Sequence, residues 1–186
     1  GDFIGDSIMF GSEVIQSVWG TSDIFLVKYD PAGNVIWAMG IGGNADDYGA
    51  SVSADPAGNI SITGIFGSQI LIIGTDTLFN NLPTLDASFM AKFDTYGNAL
   101  WAKCADDDTD PHFVGISTHS SNVAYTAGQY FTDSLVYGPV TIQSSGSGNH
   151  FYILKLDSLG NGLWGKGFEN GYAYGITTDL FNNIYL

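Results

Sequence analysis

The sequence has no arginine, and five lysines face 19 acidic residues for a net charge of −14. Gripping nucleic acid requires clustered cations that displace counterions from phosphates. No such cluster can be assembled here, so neither a nucleic-acid partner nor an anionic membrane surface is expected. Cys104 is the single cysteine. It excludes an internal disulfide and a cysteine-based metal knuckle. No apolar run approaches the roughly 18 residues of a membrane span, and neither a signal peptide nor an initiator methionine is present. No window shows helical i, i+3, i+4, i+7 spacing between caps, so essentially no helix is expected. A G-x-S-x-G elbow and a phosphate-binding glycine loop are also lacking.

What the chain does have is apolar and turn-forming. Hydrophobic residues make up 45 %, with 25 glycines, 12 phenylalanines and 10 tyrosines among 186 residues. That composition suits short strands joined by tight turns around a real core. A repeat organises it. Phe25-Leu26-Val27-Lys28-Tyr29-Asp30 returns as Phe89-Met90-Ala91-Lys92-Phe93-Asp94 and as Tyr152-Ile153-Leu154-Lys155-Leu156-Asp157. Each copy continues as D-x-x-G-N-x-x-W: Asp30, Gly33, Asn34, Trp37; Asp94, Gly97, Asn98, Trp101; Asp157, Gly160, Asn161, Trp164. DPAGNISIT from Asp55 is answered by HSSNVAYT from His119 and DLFNNIYL from Asp179, and GDFIGDSIMFG from Gly1 by GIFGSQILIIG from Gly64 and GQYFTDSLVYG from Gly128.

The unit is about 63 residues long. In phase with it, 1–22 is the C-terminal part of a preceding blade, 23–85 is repeat 1, 86–148 is repeat 2, and 149–186 starts repeat 3. Around Phe25 the side chains alternate faces with period two and both faces are mostly apolar, as in a sheet covered on both sides. Strands are expected near 24–29, 34–40, 48–54, 59–65 and 69–73, with equivalents in the other copies. In D-x-x-G-N the Asp side chain can bond the N–H groups ahead of it, and Gly and Asn tolerate positive φ. The three repeat-locked tryptophans are expected to be packing wedges. Lys28 and Asp30 share a strand face, where a local ion pair is expected to be worth little. The fold class expected is all-β: three tandem propeller-blade repeats forming an arc of a β-propeller, with antiparallel blades of four to five strands.

Ser22 to Gly64, SDIFLVKYDPAGNVIWAMGIGGNADDYGASVSADPAGNISITG, resembles the bacterial β-propeller repeats known as SBBP repeats. The family pattern is D-x-F-hydrophobic-x-K-hydrophobic-D, then G-N-x-x-W, G-G-x-x-x-D-x-G and D-x-x-G-N-x-hydrophobic-x-T-G. The inserted F-x-G-x-x-x-x-F-G element is similar to versions in secreted proteins of Bacteroidetes-type bacteria. The resemblance implies a propeller scaffold and an extracellular or cell-surface location, and it assigns no activity. Copy 2 departs from the pattern with CADDDTDPHF, and copy 3 with GFENGYAYG.

Candidate chemistry is sparse. Asp46 and Asp47, and Asp106, Asp107, Asp108 and Asp110, follow the first two tryptophans. Calcium takes six to eight or so oxygens from flexible acidic loops, so these are calcium candidates, with a solvated acidic loop as the alternative. Their spacing is not that of an EF-hand. D-x-x-G-N-x-x-W is one residue longer between Asp and Gly than the sialidase Asp box, and without arginine no sialidase site is expected. His112, His119 and His150 fall at unrelated repeat phases, which argues against zinc. Acidic neighbours in the sequence would raise rather than lower the pKa of Cys104, so a catalytic thiolate is not expected. Trp19 has no tryptophan counterpart in the other copies and lies in the variable loop Ser12–Ser22, where a solvent-facing ring could meet a ligand.

The expectation is therefore a non-enzymatic structural or interaction module of a secreted or cell-surface bacterial protein, presenting loops to a protein or glycan. No catalytic residue and no cofactor is assigned. An accessory propeller of a secreted hydrolase or lyase, with its active site elsewhere, is one alternative; a calcium-dependent adhesin segment is the other. Propellers close with roughly four to eight blades. Further repeats or self-association are thus expected to close the ring, and the chain reads as part of something longer.

Overall fold

The computed structural model describes residues 1–81, 85–105, 112–120, 123–145 and 148–186. Among them there is no helix. The strands are β1 (Asp2–Ile4), β2 (Ser7–Phe10), β3 (Glu13–Gln16), β4 (Ser22–Tyr29), β5 (Val35–Ile41), β6 (Asp47–Ala54), β7 (Ile60–Phe66), β8 (Ile70–Ile73), β9 (Asp76–Phe79), β10 (Ala87–Phe93), β11 (Ala99–Cys104), β12 (His112–Ser120), β13 (Val123–Tyr130), β14 (Ser134–Tyr137), β15 (Val140–Gln143), β16 (His150–Asp157), β17 (Gly162–Glu169), β18 (Thr177–Thr178) and β19 (Ile184–Tyr185).

Two sheets have four antiparallel strands, in the orders β6-β7-β10-β11 and β12-β13-β16-β17. Each is a meander, the design of a propeller blade. Between its second and third strands a separate two-stranded hairpin is inserted, β8–β9 in one and β14–β15 in the other. The sheet β1-β4-β5, with hairpin β2–β3, repeats the second to fourth strands, and β18–β19 repeats the first two. The register is shared: Asp2 pairs with Ile24 as Ile65 pairs with Ser88. The fold is all-β and propeller-like, and the sheets do not close on one another. The windows 23–85 and 86–148 are phased differently from the sheets, since 23–85 carries β4 and β5 of one sheet and β6 to β9 of the next.

The return strands β3, β9 and β15 lie outside the strand positions expected from the sequence. They follow from Gly11, Gly74 and Gly138, which turn the chain at φ 61°, 63° and 53°.

Packing explains why sheets stack. Along β10, Phe89, Ala91 and Phe93 enter a core shared with Ile24 and Ile41, while Met90 enters a second core with Trp101, Phe113 and Tyr152. Alternation on a pleated strand makes this automatic once both faces are apolar. Burying a side chain the size of Phe89 or Met90, both fully buried, stabilises by about 2 kcal/mol. The first strands of successive blades also lie side by side. The Thr118 N–H donates to Ser53 Oγ at 2.9 Å, Ser53 and Thr118 hydroxyls are 2.9 Å apart, and Ser117 meets Thr178 at 2.9 Å.

The Asp turns are near-identical in five places. Asp30, Asp55, Asp94, Asp157 and Asp179 each accept, on one carboxylate oxygen, the N–H groups two and four residues on. The other oxygen accepts the side-chain amide of Asn34, Asn59, Asn98, Asn161 or Asn183. The position before that Asn holds positive φ, 85° at Gly33 and 63° at Asn182. The hydrogen bond donated by that side-chain amide is the main reason the Asp30, Asp94 and Asp179 carboxyls lie below their ordinary value. Burial works to raise the Asp55 carboxyl, but Asn59 and Lys92 outweigh it and hold it low.

The Asp94 and Asp157 turns latch to the preceding sheet. The carbonyl of Thr95 accepts Trp37 Nε1 at 3.3 Å and Lys28 Nζ at 2.8 Å, and Ser158 accepts Trp101 Nε1 at 3.0 Å. The local Lys28–Asp30 pair is therefore replaced by a contact between sheets, because the Thr95 carbonyl and hydroxyl offer Lys28 a more enclosed pair of acceptors. Lys92 instead pairs with Asp55 at 3.3 Å, both buried, and Lys155 sits 5.5 Å above the Tyr125 ring. Trp101 is buried. Trp164 remains 40 % exposed, 6.3 Å from the Tyr125 ring, with no following Asp turn among the described residues laid over it.

Candidate binding site between the first two sheets

Trp19 is 71 % exposed on the loop that joins β3 to β4. An indole left in water is ordinary for a slack loop, but this loop is tied. The Ser17 N–H donates to the Asp6 carbonyl at 2.9 Å, and the Gly20 N–H to Ser17 Oγ at 2.9 Å. The Val18 N–H donates to Asp23 Oδ2 at 2.9 Å, and the Ser22 N–H to Asp46 Oδ1 at 2.9 Å. The loop's two ends are thus held by carboxylates, one of them, Asp23, buried.

The facing wall is built by the chain after β5 and the start of β8. Asp47 is fully buried and organises it. Its Oδ2 accepts the Gly43 N–H and the Ser68 hydroxyl, both at 2.8 Å, and its Oδ1 accepts the Ser68 N–H at 3.2 Å. The Gln69 N–H donates to Asn44 Oδ1 at 3.2 Å. Gly42 and Gly43 form the floor. A methyl carbon at Gly42 would collide with Asp23, and one at Gly43 would lie 2.6 Å from Ser68 Oγ.

Between these walls lies an open groove of about 290 Å³. Val18 and Trp19 from the β3–β4 loop and Ile70 and Ile72 from β8 line it, and Asn44 and Gln69 carry the amides. None of the lining side chains is charged. Acidity lies behind it. Burial pushes the Asp47 carboxyl up to about 6, with Asp23 adding to the rise and the hydrogen bonds from Ser68 and Gly43 working against it. Asp23 Oδ1 is buried without a hydrogen-bond partner directly behind the glycine floor.

Asp46 and Asp47 are occupied with backbone N–H groups of the two walls. Asp106, Asp107, Asp108 and Asp110 lie outside the described residues. Among the described residues, no group of three or more His, Cys, Asp or Glu is arranged to hold a metal ion. His112 packs 5.8 Å from Phe131, and the buried His150 lies 5.2 Å from Tyr130; the side chain of His119 is outside the described set. Cys104 and Lys103 border a second groove of about 300 Å³ with Leu78, Tyr137 and Asn161, where Lys103 Nζ donates to Asn161 Oδ1 at 2.6 Å. Sequence reasoning found Trp19 and missed Asn44, Gln69, Ile70 and Ile72. The one signal available was ILII over β8, whose outward Ile70 and Ile72 break the polar face a hairpin normally shows to water.

The fold and groove define a class: an array of propeller-type blades whose connecting loops meet where sheets adjoin. No family model matches the chain. It is similar to an uncharacterized WD repeat-containing protein of Acanthamoeba polyphaga mimivirus, 32 % identical over 90 residues, which is 46 % of this chain and 6 % of that protein. It is also similar to the regulatory protein FlaEY of Caulobacter vibrioides, 26 % identical over 149 residues, which is 79 % of this chain and 15 % of that protein. The chain therefore spans a small fraction of the curated relatives it matches.

Proposed function

We propose that this chain is a non-enzymatic interaction module, a set of propeller blades that presents its inter-sheet loops to a ligand, with the Trp19 groove as the contact surface. The observation that carries this reading is an exposed indole on a loop pinned by carboxylates. Ordering that loop before binding removes part of the entropy cost of association. The WD repeat-containing relative fits a scaffold role. The resemblance to SBBP repeats supports placing the module in a secreted or cell-surface bacterial protein. Among the described residues no helix is long and apolar enough to cross a membrane.

The test pans the full chain in parallel against a peptide display library and a glycan array. Retention of ligands from either, lost in Trp19→Ala while the melting temperature is unchanged, is the expected result. Ligands indifferent to Trp19→Ala would count against the groove, and no ligand in either library against the module. Calcium is tested separately. Asp46 and Asp47 already serve backbone donors, so exchanging millimolar calcium for a chelator at constant ionic strength is expected to give no shift in melting temperature that depends on these two residues. A calcium-dependent rise would favour the adhesin reading.

A further inference from the structure

Resting on that binding-module reading, we infer that the Trp19 groove takes the ring of a neutral saccharide. A sugar ring has one flat face of C–H groups and a rim of hydroxyls. The groove has the complementary arrangement. Trp19 offers a broad, largely exposed apolar face, Ile70 and Ile72 add further apolar lining, and Asn44 and Gln69 line the same groove. Asn44 Oδ1 already accepts the Gln69 N–H, so the polar capacity remaining on that side chain is the Nδ2 donor. The Gln69 side-chain amide supplies both a donor and an acceptor. Uncharged hydroxyls, which both donate and accept, suit such amides better than ions do. The volume of about 290 Å³ sits at the lower end of the roughly 300–1,000 Å³ usual for ligand sites, so one ring enters and its neighbours extend outward.

Charge narrows the class. The lining carries no cation that could neutralise a sulfate, phosphate or uronate, and the chain's net charge of −14 repels such groups at long range. A cationic ligand would want carboxylates in the groove itself, whereas Asp23, Asp46 and Asp47 face backbone N–H groups behind it. The site is also particular to this junction. In the next unit the positions of Gly42 and Gly43 are taken by Asp106 and Asp107, and the loop before the strand holds no tryptophan. One ring per chain is the expected stoichiometry.

The experiment exposes the full chain to an array of neutral glucans, galactans, mannans, xylans and chitooligosaccharides alongside sialylated, sulfated and uronate glycans. Retention on neutral glycans only is expected, reduced about tenfold by Trp19→Ala, the scale of one aromatic contact, and largely kept by Trp19→Phe. To guard against a misfolded variant, the indole N–H resonances of the unmodified protein are followed during titration with a retained oligosaccharide: Trp19 shifts and buried Trp101 does not. Neutral binding that ignores Trp19→Ala, or an unmoved Trp19 resonance, would overturn the site. A preference for acidic glycans would overturn the ligand class. Peptide ligands that depend on Trp19, with no glycan retained, would overturn the saccharide while leaving the interaction module standing.

Discussion

Aspartate does two opposite jobs in this chain. In the turns it is ionised and surrounded by donors, so Asp30 and Asp94 lie below their ordinary value. At Asp47 burial dominates and the carboxyl rises to about 6. The two kinds of site act in different pH windows. An acid whose folded value is raised is protonated in the folded state while already ionised in the unfolded one. Asp47 therefore contributes stability that is full below about pH 4 and is lost as pH rises towards 6, by roughly 3 kcal/mol. The turn carboxylates contribute above about pH 4 and lose their contribution as pH falls below it. Urea unfolding at intervals from pH 4 to 7 should show stability declining through the Asp47 window. In Asp47→Asn the decline should flatten, although the variant is less stable overall because its amide faces the Gly43 and Ser68 N–H donors. An unchanged slope would remove Asp47 as its source.

At the level of elements, the unit that recurs is the turn together with the sheet before it. Trp101 lies against the Gly160 turn so closely that a methyl carbon at Gly160 would stand 2.9 Å from the ring, and Gly160 has φ 75°. Gly138, at φ 53°, has open space around it. Both alanine variants carry backbone strain of about 1 kcal/mol, and only Gly160→Ala adds a collision, worth a further 1–3 kcal/mol or so. Thermal unfolding should rank them in that order; equal losses would mean that Trp101 is not held by the turn. One repeat position also serves three purposes. Lys28 reaches the next sheet, Lys92 pairs with a buried carboxylate, and Lys155 lies over an aromatic ring. The cause is the partner: Asp55 is answered by His119 in the following unit, so Lys155 has no such aspartate. Repetition of sequence thus preserves the strand and leaves the contact to the neighbour.

For the whole molecule, stability comes from sheet against sheet, as in other repeat architectures. Neither four-stranded sheet owns its core: β10 feeds one cluster from each face. Over this structure lies an acidic surface with a net charge of −14. Such an excess repels itself in the compact state, and salt screens it within about 10 Å at 0.1 M. Raising sodium chloride from about 10 mM to a few hundred mM should raise the melting temperature. A fall or no change would show that attractive pairs such as Lys92–Asp55 outweigh the repulsion.

The turns and the blade strands were legible in the amino-acid sequence because each depends on short-range order, and the stacking of sheets because strands apolar on both faces need cover on both. An aspartate and an asparagine four residues apart close their own turn, and alternating apolar residues bury both faces of whichever strand they form. The hairpin returns were less legible, since Glu13–Gln16 and Asp76–Phe79 are only four residues long and depend on a single turning glycine. The groove was legible only at Trp19. Its other lining residues, Asn44, Gln69, Ile70 and Ile72, come from separate connections that no periodicity links, and only the juxtaposition of two sheets brings them together. The elevated Asp47 carboxyl is likewise a property of the assembled interior, because burial arises only after Asp23, Ser68 and Gly43 have been brought around it.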